Sequence, residues 1–438
     1  MLRPVPPRRG GRPHRGGAHA LAVQRVRAAG HGVPGPHLAR LHQARARRAP
    51  PRRAAALAAP RRGRDRRRRS LRRPGHRALR GPLAQRRRTR RAAGAQPLRA
   101  RAAPVDLPRR RAGLSAWAGR YGTAASLALL AVAVLGDSTA ETYAIALVAF
   151  WWLLPAVPLL AVALARQWWR GAAALVAPAV VAASTWGPLL WPVPPGGPAD
   201  LRVATYNATH GAGTDGVLAL AAQHHPDVLL LQELTPRQVG ALDRQLADAY
   251  PYRSFGPLDD RQRDGDAVLS RFPVTAVEPV TGLPAGARPA DLVRLDVEGR
   301  PTSVLSVHLA SPCLLCDGDA DGYNPAGGTS QSARVRVAEA QRYADLAAQR
   351  QAQGDLVVVA GDINSSELNR PLRVLTGQGL EDVQAEVGRR PQLTRGPGPG
   401  LARVDVVLVA GLVPLRTWEG RRGPSTHSPV LADLALPR

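Results

Sequence analysis

Seven polar residues stand at the ends of apolar runs in the C-terminal half of this chain. Asn207 closes LRVATYN, Glu233 closes DVLLLQE and His308 sits late in TSVLSVHLA. Asp362 and Asn364 close LVVVAGDIN, Asp405 opens VDVVLVAG, and His427 lies in GPSTHSPVLADL before the last apolar run. Attack on a phosphate ester places negative charge on the non-bridging oxygens, so a divalent cation and imidazole donors must face them. Glu233 offers the hard oxygen that suits Mg²⁺, and Asn207 would orient that ligand or a metal-bound water. Asp362 would align and deprotonate the attacking water, with Asn364 donating to the developing oxyanion. His308 and His427 would contact the phosphoryl oxygens. Singly, each has a plainer reading: Asn207 as a turn cap, Glu233 as a first-turn helix acid, GDIN as a tight turn. Seven in this order favour chemistry.

Elements that position such residues are legible around them. The three runs above that carry Asn207, Glu233 and His308, together with DAVLSRF, LVRLDVE, LVVVAGDIN and VDVVLVAG, read as strands, several too uniformly apolar for a half-exposed sheet. Helical stretches fall at Val217–Gln223, Thr235–Ala249, Ser332–Gln351 and Ser366–Gly377. Strands this apolar are covered by helices on the outside, so the expected fold class is α/β, a layered sandwich.

The order TYN, QE, LSRFPV, VHL, GDIN, RVDVVLV and THSPVLADL resembles the endonuclease/exonuclease/phosphatase superfamily of metal-dependent phosphoesterases. The resemblance covers residues 200–437 and implies a four-layer α/β/β/α sandwich like that of deoxyribonuclease, with Mg²⁺ or Mn²⁺ as cofactor. It also implies that Asp405 holds His427. The superfamily's usual ending is Ser-Asp-His, whereas this chain has Ser425, Thr426, His427. The missing Asp assists the metal, directly or through water. Thr426 can ligate weakly or hold a metal-bound water but brings no charge. The metal set implied is therefore Glu233, Asn207 and a weak Thr426, with weakened metal binding rather than a dead site; the alternative is a catalytically silent binding or resistance protein.

Ahead of this domain the chain is unevenly built. Residues 1–113 hold 34 of the 61 basic residues, all arginine, and two of the 32 acids. They show no apolar periodicity and cannot bury enough surface to offset chain entropy. A nucleic-acid or anionic-lipid tail, a solvated cytoplasmic tail, and an upstream extension from a mis-chosen start are the three readings, the last preferred. Residues 114–192 contain three apolar runs, at 121–136, 143–165 and 171–191, expected to be three transmembrane helices. Buried helices of a soluble domain are the alternative. A Pro/Gly linker at 193–198 leads to the phosphoesterase domain at 199–438. Arg166 and Arg170 follow the second run, whereas Asp137 and Glu141 follow the first, so the positive-inside rule puts the domain outside a multi-pass cell-membrane anchor. The three runs resemble the superfamily's membrane-anchored actinobacterial branch, which is VanJ-like.

Cys313 and Cys316 are the only cysteines; outside the membrane they suit a local disulfide, and two free thiols are the alternative. Asp317, Asp319, Asp321 and Gly322 begin like a calcium loop, but the twelfth position is Gly328 where a bidentate Glu is needed, so a solvated acidic loop is preferred over Ca²⁺. The long insertion between His308 and Ser332 is expected to overhang the site and select substrates. Residues 198–438 contain 24 arginines and 28 acids. A nuclease facing a polyanion gains from a basic face, which favours a lipid-linked phosphate or pyrophosphate at the membrane over extracellular nucleic acid. Phosphorylated substrate and membrane lipid are the expected partners, and no protein partner is inferable. We predict that the native N-terminus lies between about Val105 and Leu114, where Val and Leu match alternative bacterial initiators. N-terminal mass spectrometry that finds peptides from residues 20–90 would refute this.

Overall fold

A computed structural model describes residues 107–190, 196–210, 213–256, 265–312 and 328–438, with side chains from 113 onward. All of them fall in one compact unit that spans Leu98–Arg438. The sequence tract at 1–106, both cysteines and the Asp317–Asp321 loop lie outside the described residues.

The first part is helical: α1 (Leu107–Leu135), α2 (Ala140–Leu147), α3 (Ala149–Leu153), α4 (Ala156–Ala165) and α5 (Trp169–Trp186). Gly113–Leu135 and Trp169–Leu190 are long and apolar enough to cross a membrane. Fifteen of the nineteen exposed large hydrophobic side chains among the described residues lie between Leu114 and Leu190, so apolar exposure is concentrated on these helices. At Gly122 an added Cβ would lie 2.7 Å from the backbone of Ala174, so α1 and α5 approach through small residues, as helices in lipid do. The middle run departs from the expected straight span. α2 and the stretch from Ala149 to Ala165 meet at a 70° bend, and together they pass the same test of length and apolarity. Pro155 and Pro158 cannot complete the helical ladder and separate α3 from α4. The bend at Val148 follows from docking: α2 packs on the following domain instead of continuing along α4. Asp137 accepts from Asn369 Nδ2 at 2.9 Å and from the Arg370 N–H at 3.1 Å, and Ser366 Oγ donates to Ala146 O at 2.9 Å.

The remainder holds β1 (Leu201–Asn207), α6 (Thr214–His224), β2 (Val228–Leu234), α7 (Pro236–Gln245), β3 (Tyr252–Phe255), β4 (Gly265–Ser270), β5 (Val274–Pro279), β6 (Asp291–Val297) and β7 (Arg300–His308). Then come α8 (Gly328–Ala352), β8 (Leu356–Asp362), α9 (Arg370–Thr376), β9 (Glu381–Asp382), α10 (Val383–Val387), β10 (Asp405–Ala410), β11 (Val413–Glu419) and β12 (Val430–Ala435). They form two mixed six-stranded sheets, ordered β11-β12-β1-β2-β4-β3 and β5-β6-β7-β8-β10-β9. β1 with β2 and β7 with β8 are parallel, each pair joined through a helix, and the other pairs are antiparallel.

Three apolar clusters explain the layering. Val203, Leu230, Val304, Val358, Val407 and Ala432 pack sheet against sheet. Val217, Leu220 and Leu242 of α6 and α7 cover the outer face of the first sheet, and Tyr343, Leu346 and Leu372 of α8 and α9 cover that of the second. Covering both faces is why β8 and β10 are buried along their whole length, and why alternation was absent from their sequence. β3, β5, β9, β11 and β12 were not among the strands read from sequence; β5 alternates intermediate and exposed positions, an edge-strand pattern with little apolar signal.

Inside the α8 face, Glu339 is fully buried, and its Oε2 accepts the Ala310 N–H at 2.9 Å. Burial pushes its carboxyl up to about 7, against the Ala310 hydrogen bond and the charges of Arg288 and Arg336. A raised folded value means that, between the unfolded value and about 7, the folded state keeps a proton that the unfolded chain releases; stability falls as pH rises through that window. We expect Glu339→Gln to remove most of this pH dependence, worth about 3 kcal/mol at most. Thermal unfolding of the detergent-solubilised protein at pH 5 and pH 8 measures it, and an unaltered difference between the two pH values would rule the cause out.

Candidate active site

The C-terminal ends of the two parallel strand pairs face one another, and the sequence-selected residues gather there. Asn207 ends β1, Glu233 lies next to the end of β2, His308 ends β7 and Asp362 ends β8, with His308 and Asp362 opposite in register. Asp405 begins β10 opposite Asp362, and His427 lies in the loop before β12. All seven come together.

Local backbone explains how each is aimed. The β2–β4 register slips between Leu231 and Leu234, and Glu233 has φ 57°, a left-handed conformation that a side-chain-bearing residue adopts at a cost. Glu233 is therefore a bulge residue, not a first-turn helix acid; α7 starts later, at the Thr235–Gln238 capping box. In the GDIN turn, Gly361 has φ 151°, and an added Cβ would sit 1.9 Å from Val307 O, so only glycine lets β8 run this close to β7. Asn364 follows in the left-handed region at φ 47°, which Asn tolerates.

Asn207 Nδ2 donates to Glu233 Oε1 at 2.9 Å and to Asp362 Oδ2 at 3.1 Å, while its Oδ1 accepts the Thr209 N–H at 3.0 Å. With its carbonyl oxygen engaged, Asn207 is placed to orient the two carboxylates. His308 Nε2 lies 3.6 Å from Glu233 Oε1 and 3.8 Å from Asp362 Oδ2, and His427 Nε2 lies 3.6 Å from the same Asp362 oxygen. His427 Nδ1 meets Asp405 Oδ2 at 2.8 Å, both fully buried. Asp405 receives no bond on Oδ1, and its backbone N–H donates to Thr394 Oγ1 at 3.1 Å. Asn364 gives its side-chain N–H to Leu309 O at 2.9 Å and its backbone N–H to Asp362 Oδ1 at 2.8 Å. That side-chain bond takes one of the two amide hydrogens of Asn364.

Thr426 is exposed. Its hydroxyl lies 3.2 Å from Thr209 Oγ1, which also meets Ser425 Oγ at 2.8 Å, and Ser425 Oγ donates to Asn207 O at 2.7 Å. The STH segment is thus bound to the end of β1 by hydroxyls. Two residues that the motif reading did not include also reach the cluster. Arg395, in the turn bridged to His427, brings its guanidinium to His427 Nε2, and His210 Nδ1 contacts Glu233 Oε2 at 2.8 Å. A basic residue among the glycines and prolines of TRGPGPG, and a histidine three positions past Asn207, were the available signals.

Burial raises the Glu233 carboxyl, but the His210 hydrogen bond, the charges of His308 and His210 and the Asn207 bond outweigh it and hold Glu233 well below the usual carboxylate range. Burial pushes Asp362 up to about 6, with Asp405 adding and His427 and Arg395 opposing. For His427, burial acts downward but the Asp405 and Asp362 charges win and raise it. A site with one firmly ionised carboxylate and a second that readily takes a proton can combine cation binding with general-base chemistry.

The model of the Endonuclease/Exonuclease/phosphatase family matches residues 204–427. The chain belongs to that family. Its members are metal-dependent phosphoester hydrolases. Similar solved structures include an endonuclease/exonuclease/phosphatase from Beutenbergia cavernae (22% identity, 54% of this chain and 71% of that one, TM-score 0.41). Another is sphingomyelinase C from Streptomyces griseocarneus (20%, 55% and 100%, 0.38), and a third is D. rerio TDP2 with a single-stranded DNA product (17%, 53% and 98%, 0.40). No curated protein matches the chain. Among the described residues, two groups could hold a divalent ion of the kind this family uses: Glu233 with His308 and Asp362, and Asp362 with Asp405 and His427, each with ligand atoms within 4.8 Å of one another. The first fits better, since Asp405 already occupies one nitrogen of His427.

Three substitutions separate these functions. Glu233→Gln should raise the half-saturating metal concentration about tenfold or more, and Thr426→Asp should lower it by adding a charged hard oxygen. Asp405→Asn should leave metal demand nearly unchanged and cut turnover at least about 100-fold, through loss of the hold on His427. Hydrolysis rate against Mg²⁺ concentration reads all three; unchanged metal dependence in both Glu233→Gln and Thr426→Asp would place the cation elsewhere.

Proposed function

We propose that this protein is a membrane-anchored, extracytoplasmic phosphoesterase that hydrolyses a lipid-linked phosphate ester or anhydride with Mg²⁺ or Mn²⁺. The observation that carries the reading is that the apolar helices touch the catalytic turn itself: Tyr143 of α2 is buried and its hydroxyl donates to Asn364 O at 2.8 Å. A phosphate held at Asp362 then lies beside helices that carry exposed Trp151, Leu154 and Val157, where the chain of an amphiphile finds apolar surface.

Topology has independent support. The acidic first loop packs through Asp137 on the phosphoesterase domain, a contact that supports a placement of both on one side of the bilayer with the Arg166–Arg170 loop on the other. Residues 1–113 are assigned to the cytoplasmic side or to an upstream extension, 114–192 to the anchor, 193–198 to the linker and 199–438 to catalysis.

In the reaction, Asp362 takes the proton of the attacking water. His308 and His427 contact the phosphoryl oxygens, His427 through the nitrogen that the Arg395 guanidinium holds here, Asp405 fixes the tautomer of His427, and Asn207 keeps Glu233 and Asp362 aligned. A divalent cation held by Glu233 would neutralise phosphoryl charge as it develops. Asn364 shapes the turn that presents Asp362. Arg389, Arg390 and Arg416 beside Trp418 line a cleft, and this cluster is the observation that favours the second reading, a nuclease.

The test has two parts. Protease added to intact protoplasts should remove the domain; full protection until lysis would reverse the topology. The full-length protein in vesicles should release phosphate from a polyprenyl diphosphate faster than it cleaves single-stranded DNA, and chelator should stop it. Preference for DNA would install the nuclease reading.

A further inference from the structure

Besides the seven residues and Arg395, His210 also reaches the pocket. Glu233 divides its two oxygens between different neighbours. Oε1 faces inward to Asn207 and His308, whereas Oε2 faces outward to His210 Nδ1 at 2.8 Å. The Glu233 side chain is 12% exposed and that of His210 47%, so the imidazole stands at the mouth, between the carboxylate and solvent. Nδ1 and Oε2 are joined here by a hydrogen bond, and donor atoms at neighbouring positions around a six-coordinate ion lie about 3 Å apart, so one ion can replace the shared proton between them.

The backbone presents His210 by an unusual route. Thr209 and His210 are consecutive left-handed residues, φ 48° and 37°, neither of them glycine. The turn is held by the Thr209 N–H on Asn207 Oδ1 and by the Thr209 hydroxyl, which meets both Ser425 and Thr426. The segment that carries His210 is therefore tied to the segment from which the family's acid is missing. Left-handed pairs of this kind persist where surrounding contacts over-determine them, commonly at functional sites.

We propose that His210 is a direct ligand of the catalytic cation, with Glu233, and that it replaces the carboxylate lost at Thr426. This rests on the reading of the pocket as a divalent-cation phosphoesterase site. An imidazole ligand exchanges a hard anionic oxygen for a neutral nitrogen of borderline softness, so the site selects a first-row transition-metal ion over Mg²⁺. It also makes the first left-handed turn after β1 part of the metal site, which is where Thr209 couples it to Thr426.

The test needs no turnover. Mn²⁺ is bound to the full-length protein in detergent, and pulsed electron paramagnetic resonance reads nitrogen coupled to the ion. The parent should show a His210 nitrogen bound to the ion, told apart from any His308 nitrogen as the coupling that is lost in His210→Ala and His210→Gln and retained in His308→Gln. Equilibrium dialysis should show Mn²⁺ affinity reduced about 10- to 100-fold in His210→Ala, with Mg²⁺ affinity altered far less. Thr426→Asp in the His210→Ala background should recover Mn²⁺ affinity without recovering the nitrogen signal. A parent without bound nitrogen, a signal unchanged by both His210 substitutions, or one changed only in His308→Gln would overturn the assignment. A protein that hydrolyses no phosphoester yet shows the His210-dependent signal would keep the ligand and refute the proposed function.

Discussion

One amide joins the two halves of the catalytic domain at their reactive ends. Asn207 belongs to the first sheet, and its Nδ2 bonds Glu233 of that sheet and Asp362 of the second. The two carboxylates can share this donor only if the sheets pack at a fixed separation and offset, which the valine and leucine layer between them sets. A one-residue slip of β1 against β2 would turn Asn207 to the opposite face and break both bonds at once. The interior of the sandwich is in this sense a spacer for two carboxyl groups.

Such a site is costly in stability. Asp362, Asp405 and His427 are buried within one another's fields, Asp405 Oδ1 has no bonded partner, and Glu233 sits on a left-handed bulge. Burying charge is unfavourable unless it is paired, and pairing here is incomplete. The rest of the domain offsets this with strands buried on both faces. Structures commonly break local rules at functional sites and compensate elsewhere; here the violations cluster within a few ångströms of Asp362.

The helical region is joined to the same centre. Tyr143 reaches Asn364 O, Trp151 Nε1 donates to Leu401 O at 2.9 Å, and Asp137 holds the start of α9. Leu401 ends the turn that begins at Arg395, so both the turn after Asp362 and the turn beside His427 rest on residues of the bent helical segment. Arg336, buried and 4.7 Å from the Tyr143 ring centroid, extends the contact to α8 and to Ala310, two residues past His308.

Residue type and local order determined much of this protein. Apolar runs without alternation meant sheets covered on both sides, and the polar residues at their ends are the ones that cluster, because a strand ends where its side chains can turn to a shared edge. TYN, QE, GDIN and the late His identified the family for the same reason: each needs a particular side chain next to a particular backbone turn. Edge strands β5 and β11 left little trace, since half-exposed strands carry mixed residues. The tertiary structure alone decided what depends on distance between remote segments. It brought His210 to Glu233 and Arg395 to His427, it turned the Asn364 amide onto Leu309, and it bent the middle apolar run so that Tyr143 meets the catalytic turn. Those contacts join residues separated by up to 221 positions, and hydropathy and spacing report only on neighbours along the chain, whereas these pairs are set by how the sheets and helices pack.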